Sequence, residues 1–300
     1  MEIQPPTLQD NTELQCKMVP TMLGPCAVRL QAAPDTGNLT ADVYLHGAAG
    51  SWTTFQPLLS TSPDRTRILI DLPGWGDFTQ GAQLASATVE AMAGAVVEVV
   101  EHLGYTKWNL VGHSMGGVIA LHIAAARPER TLSVAAISPT VFGAANSVRR
   151  PWRGLATLPW FTGMLLIMRS MAFLGIAGKV LIRTVAATPL LQRLLRPLFA
   201  DPAAVPSHVI RRLGQEARPG AFCAAARALA GYDFATWHSI RCHVLVLRGS
   251  ADVFTPQSDL DHLAALGPHI RTLTLPRCGH FGVAEQPVAV QQLLEELWQR

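Results

Sequence analysis

Ser114 lies in the run Gly112-His113-Ser114-Met115-Gly116, directly behind an apolar stretch at 108–111 and ahead of a helix-compatible stretch at 117–126. A serine at a sharp strand-to-helix turn holds its hydroxyl at the carboxyl end of the strand. Free helix amides there favour developing negative charge. Such a turn leaves little room for side chains on either side of the serine, a demand the two glycines meet. A serine hydroxyl is a weak nucleophile and needs a base, which in turn needs an orienting acid. Asp252 follows the Val-Leu-Val run near 244–246, and His280 follows Thr-Leu-Thr-Leu at 272–275. All three side chains therefore fall at the carboxyl ends of predicted strands, where open α/β sheets bind ligands.

The elements that must position them alternate. Apolar runs at 41–45, 67–70, 108–111, 132–137, 243–247 and 271–275 have strand length and are nearly continuous, as expected of strands buried on both faces. Helical segments are predicted at 82–103, 115–127, 256–266 and 286–298, the middle two running into Pro128 and Gly267-Pro268. Residues 17–23 and 27–33 read as an antiparallel edge hairpin. The alternation specifies an α/β fold, a doubly wound and mostly parallel sheet with helices on both faces.

Charge divides the chain. Residues 143–235 carry 12 Arg and Lys against 3 Asp and Glu, a balance of +9, while the remainder of the 300-residue chain stands at −6. A basic, apolar middle inside an acidic frame marks an insertion. The expected organisation is a core of 1–141 and 232–300 with a helical cap at 142–231. Within the cap, Leu190, Leu191, Leu194, Leu195, Leu198 and Phe199 recur at helical spacing, with Gln192, Arg193 and Arg196 off the stripe and a kink at Pro197. Residues 160–173 add Phe161, Met164, Leu165, Leu166, Met168 and Met171. These faces pack over the sheet or line an apolar acyl pocket, and the basic exterior suits peripheral contact with an anionic lipid surface.

Composition excludes several classes. With 49% apolar and 15% charged residues the chain is not intrinsically disordered. The uncharged apolar stretch 154–168 is too short to span a bilayer. Five cysteines, odd in number and without a C-x-x-C pair, fit neither a disulfide framework nor a cysteine zinc site. The N-terminal residues lack a basic start and an apolar run, so no secretory signal is read there. The expectation is a soluble cytoplasmic protein with no cofactor and no metal. The basic residues are interleaved with Leu, Ile, Met and Phe without a clustered face, so nucleic acid is not an expected partner.

Five motifs together resemble the α/β-hydrolase superfamily: Leu45-His-Gly-Ala-Ala-Gly, Asp71-Leu-Pro-Gly-Trp-Gly, Gly112-His-Ser-Met-Gly-Gly, Arg248-Gly-Ser-Ala-Asp and Cys278-Gly-His-Phe. The resemblance runs from about Lys17 to the C-terminus, with the basic middle in the place of the family's variable cap. It implies Ser114 as nucleophile, His280 as general base and then acid, and Asp252 as orienting carboxylate. It also implies an oxyanion hole made by the backbone N–H groups of Ala48 and Met115. His46, Ala49, His113, Val253 and Phe281 are the candidate pocket residues.

Other residues carry blander expectations. Asp77 precedes the serine and is read as a loop cap. His46 is read as supporting the loop beneath the oxyanion hole, and Cys278 as a buried thiol. Within the superfamily, Ser114 stands where dehalogenases and epoxide hydrolases carry Asp, and the His46-Gly-Ala-Ala loop lacks the extra glycines of H-G-G-G lipases. The expected activity is hydrolysis of a carboxylic ester, thioester or lactone of a lipophilic small molecule through an acyl-enzyme. The alternatives are cleavage of a C–C bond in vinylogous diketones, where His113 replaces the commoner Asn, or a non-hydrolytic synthase, cyclase or binding protein. The oligomeric state is open.

Overall fold

A computed structural model describes residues 14–33, 37, 39–59, 65–203, 205 and 207–299; the stretch read for a secretory signal lies largely outside them. The strands are β1 (Gln15–Thr21), β2 (Gly24–Gln31), β3 (Thr40–Leu45), β4 (Arg67–Ile70), β5 (Lys107–His113), β6 (Thr131–Ile137), β7 (His243–Gly249) and β8 (Ile270–Leu275). They form one sheet in the order β1-β2-β4-β3-β5-β6-β7-β8. From β4 onward the pairs are parallel, and β1 and β2 are an antiparallel hairpin added at one edge.

The near-continuous apolar runs arise because alternate side chains enter two different cores. Val43, Leu45 and Leu110 face the helices α1 (Val89–His102) and α2 (Met115–Ala126). Tyr44, Val111 and Ile137 face the opposite core, which is closed by α12 (Pro287–Trp298) through Val290, Leu294 and Leu297. Helix α2 is buried almost all round, consistent with its lack of charged residues. At the sheet edge β8 departs from expectation, with only its two end residues fully buried. Helix α1 starts at Val89 rather than near 82, because the Thr88 side chain caps it by accepting the Ala91 N–H.

Between β6 and β7 the chain inserts α3 (Phe142–Arg149), α4 (Pro151–Thr157), α5 (Pro159–Phe173), α6 (Ile176–Ala186), α7 (Pro189–Leu195), α8 (Ser207–Gln215) and α9 (Pro219–Gly231). Prolines at 151, 159, 189 and 219 open four of these helices, the position where a missing N–H costs least. The predicted kink at Pro197 is a break: α7 ends at Leu195 and a short 3-10 turn follows at Arg196–Leu198. Leu198 and Phe199 are buried, whereas Leu190 and Leu194 face solvent, so the leucine stripe is not one inner face. The side chains of Leu191 and Gln192 lie outside the described residues. After β7 come α10 (Gln257–Ala264) and, beyond β8, the short α11 (Gly282–Glu285), which the sequence reading did not anticipate.

Candidate active site

Ser114 joins β5 to α2 with φ 54° and ψ −117°, a left-handed conformation that costs a non-glycine residue about 1–3 kcal/mol. The surroundings enforce it. A Cβ on Gly116 would lie 1.9 Å from the Leu45 carbonyl oxygen, and one on Gly112 would lie 2.3 Å from the Gly116 carbonyl oxygen. Both glycines are thus required by close backbone approach. The Ser114 N–H donates to the Ile137 carbonyl at 2.9 Å, fixing the turn to β6. The Ser114 hydroxyl is 3.5 Å from that of Thr140, in the loop after β6.

Past the end of β7, the Asp252 carboxylate accepts the N–H groups of Phe254 at 2.8 Å and Thr255 at 3.1 Å. It also accepts the Nδ1–H of His280, with contacts of 3.0 and 3.1 Å to its two oxygens. Burial pushes the Asp252 pKa up, but the His280 charge and these hydrogen bonds outweigh it and hold the group at about 2. The Asp252 contact at Nδ1 selects the tautomer in which an uncharged imidazole carries its lone pair on Nε2. Phe254 and Phe281 wall the imidazole at ring separations of 4.9 and 5.4 Å.

Ser114 and His280 are brought together through His113. Its Nε2–H donates to the His280 carbonyl at 3.0 Å, and the two rings stand 5.0 Å apart. Among the described residues Ser114 Oγ makes no hydrogen bond to His280. Such contacts often tighten only when substrate is bound. Burial, reinforced by the charge of His280, depresses His113 to about 3, so it is neutral at physiological pH.

The loop carrying Ala48 runs against the serine because Gly47 has no side chain. A Cβ there would be 2.7 Å from Ser114 Cβ and 3.2 Å from Ser114 Oγ. Among the described residues, neither the Ala48 nor the Met115 N–H donates to a protein group, so both are available to an incoming oxyanion. His46 supports this loop from behind: its Nε2 accepts the Leu72 N–H at 2.9 Å and its Nδ1–H donates to the Gly47 carbonyl at 2.7 Å. Fully buried, His46 is lowered to about 4 and stays neutral. The loop cap is Asp71, not Asp77. Asp71 accepts the N–H groups of Trp52 at 2.8 Å and Asp77 at 3.0 Å, while the Asp77 side chain pairs outward with Arg29.

The insertion is clasped to the His280 loop. The His280 N–H donates to the Leu198 carbonyl at 2.7 Å, and Phe199 stacks on Phe281 at 5.3 Å. Glu285 bridges the two segments, accepting the Gly279 N–H at 2.8 Å and the Ala200 N–H at 2.7 Å. Sequence reasoning missed Thr140, Phe254 and Glu285, and it read Gly47 only as part of a His-Gly pair. A small cleft lies between the Ala49 loop, Phe281 and helix α8, lined also by Val209, Leu213 and Glu216. Val253 is half-buried against the main core, and neither it, His46 nor His113 lines that cleft. Cys278 is buried, its thiol pushed up to about 12 by burial.

A model of the alpha/beta hydrolase family matches residues 43–292. Dihydrolipoyllysine-residue acetyltransferase components of acetoin cleaving systems align from Cupriavidus necator (36% identity over 40% of this chain) and Pseudomonas putida (28% over 83%). The aligned parts span 32% and 61% of those two proteins. The 2-hydroxy-6-oxo-6-phenylhexa-2,4-dienoate hydrolase of Burkholderia cepacia is 27% identical, covering 86% of this chain and 87% of its own. Among solved structures, an esterase from Exiguobacterium antarcticum superposes with a TM-score of 0.73 over 95% of this chain and 100% of its own. Its 16% identity makes it a likeness of fold.

Proposed function

The chain belongs to the alpha/beta hydrolase family, and from that premise we propose that it hydrolyses a carboxylic ester of a lipophilic small molecule through an acyl-enzyme on Ser114. The observation that carries this reading is the buried Asp252–His280 hydrogen bond, tied to the strained Ser114 turn through His113. In the proposed cycle Ser114 Oγ attacks the ester carbonyl and its proton passes to His280 Nε2. The carbonyl oxygen becomes an oxyanion held by the Ala48 and Met115 N–H groups. Collapse of that intermediate breaks the C–O bond, and His280 returns the proton to the departing alcohol. Water, deprotonated by His280, then attacks the acyl carbon. The second collapse releases the carboxylic acid and restores the serine hydroxyl. Asp252 stays ionised throughout and stabilises the transient imidazolium.

Thioesters and lactones fit the same steps. The similarity to the Burkholderia cepacia dienoate hydrolase over most of both chains supports a second reading, cleavage of a C–C bond in a vinylogous diketone. Steady-state turnover of a panel of p-nitrophenyl esters, acyl thioesters, lactones and vinylogous 1,5-diketones separates the two. Turnover of esters, abolished in Ser114→Ala, is the expected result; turnover of diketones alone replaces the ester reading with the second.

A further inference from the structure

Helices α5 and α6 expose an apolar face that no other described part of the chain covers. Along α5, Trp160, Ile167 and Leu174 repeat every seven residues on one side and are 56, 55 and 49% exposed. The opposite side, with Phe161, Leu165 and Met168, is buried, so the exposed set is not the helix's packing face. Exposure is greatest at the α5–α6 corner, where Phe173 is 91% exposed and Ile176 81%. Helix α6 then exposes Val180 at 58%, and among its described residues only Gly178 is fully buried. Contiguous apolar surface of this kind on a folded chain marks an interaction site.

Three amides at the corner are already paired. The Leu174 N–H donates to Ser170 O, Gly175 N–H to Ala172 O, and Lys179 N–H to Gly175 O. Gly175 turns the chain with φ +58°. These three amides therefore keep their partners when the corner leaves water, and the first-turn N–H groups of α6 are left to headgroup oxygens at the interface.

Charge identifies the occupant. Residues 142–200 contain eight Arg and Lys and no Asp or Glu. Seven of the eight are exposed, among them Lys179 and Arg183 on α6 beside the apolar corner. A second copy of this face would bring two such basic surfaces together with no carboxylate in the segment to pair them. An anionic bilayer accepts both features at once: the apolar side chains enter the acyl boundary, and the cations meet headgroup phosphates. We propose that the α5–α6 face of the insertion docks this protein on an anionic membrane surface, with Phe173 and Ile176 as the inserted wedge. The inference does not depend on the ester reading of Ser114.

Flotation of the full chain with phosphatidylglycerol–phosphatidylcholine vesicles tests it. Binding is expected at about 50 mM NaCl, is expected to be lost in pure phosphatidylcholine, and falls as salt rises to about 500 mM. Phe173→Ser/Ile176→Ser lowers the partition coefficient by about tenfold or more. Lys179→Gln and Arg183→Gln lower it by about fivefold each. Arg271→Gln, an exposed cation on β8 away from the insertion, leaves it unchanged. Far-ultraviolet circular dichroism and a thermal melt establish that each variant is folded. Absence of wild-type binding at low salt overturns the proposal, as does binding that survives loss of Phe173 and Ile176. A dimer in light scattering that the double serine variant dissolves, without vesicle binding, assigns the face to a second copy and overturns it equally.

Discussion

Gly47→Ala isolates the contact between the loop carrying Ala48 and the serine, and so tests the proposed oxyanion hole. No left-handed backbone is involved, so the effect is steric. The new methyl carbon would sit 2.7 Å from Ser114 Cβ and 3.2 Å from both Ser114 Oγ and His113 Nδ1. Carbon atoms settle at roughly 3.5–4.0 Å, so the loop must retreat by about 1 Å. Retreat carries the Ala48 N–H away from the developing oxyanion. Loss of one such donor costs about 10²–10³ in kcat, comparable to the penalty for a 1 Å misplacement elsewhere in an active site. Overpacking adds about 1–3 kcal/mol of destabilisation, visible as a lower Tm without loss of folding. Stopped-flow and steady-state assays on a p-nitrophenyl ester read the chemistry, with acylation slowed more than KM is changed. A folded Gly47→Ala enzyme within about threefold of the parent kcat refutes the placement of this loop against the nucleophile.

Three further substitutions probe the same structure. Asp252→Asn should lower kcat by about four orders of magnitude, because the amide favours the wrong imidazole tautomer. The Asp252 pKa is depressed in the folded chain, so the unfolded state binds more protons as pH falls from about 4 to 2. Urea titrations should show roughly 2 kcal/mol of stability lost across that window and a flatter profile in the Asn variant. Asp259 on α10 has the opposite sign. Burial raises it to about 7 although it accepts the Gly143 N–H at the start of α3, so its share of stability falls as pH rises from about 4 through 7. Asp259→Asn should flatten that decline, read as Tm at pH 5 and pH 8. Gly163→Ala fills open space on α5, with nothing within 4 Å of the added carbon, and should raise stability by about 0.5–1 kcal/mol without changing turnover.

What could be read from the sequence was whatever has a local cause. The serine turn was legible because Gly112 answers the neighbouring Gly116 carbonyl, whereas the Leu45 carbonyl that also requires Gly116 is distant in the chain. The strand runs were legible because both faces of β3, β5 and β6 meet apolar cores, and β8 departs from that pattern as the edge strand, where one side has no neighbour. Helix α1 was over-extended because 82–88 is rich in Ala and Leu, and the Thr88 cap outweighs that propensity. The loop-capping role assigned to Asp77 belongs to Asp71, which Gly76 admits by having no Cβ: one there would lie 2.2 Å from the Asp71 carboxyl. Contacts between distant segments left no local signature. Gly47 beside Ser114, Thr140 beside the same hydroxyl, and Glu285 joining Gly279 to Ala200 all depend on the assembled sheet. Helices apolar on more than one side do not declare which side is inward, so Leu165 and Leu166 read alike although one is buried and the other exposed.

The central claim is that Ser114 is an activated nucleophile, and reaction with a serine-directed organophosphonate followed by peptide mass spectrometry tests it most directly. One phosphonyl group per chain on the peptide containing Ser114, with concurrent loss of ester turnover and no adduct in Ser114→Ala, is the result the account predicts. A folded protein that stays unlabelled, or that is labelled elsewhere while turnover persists, contradicts it.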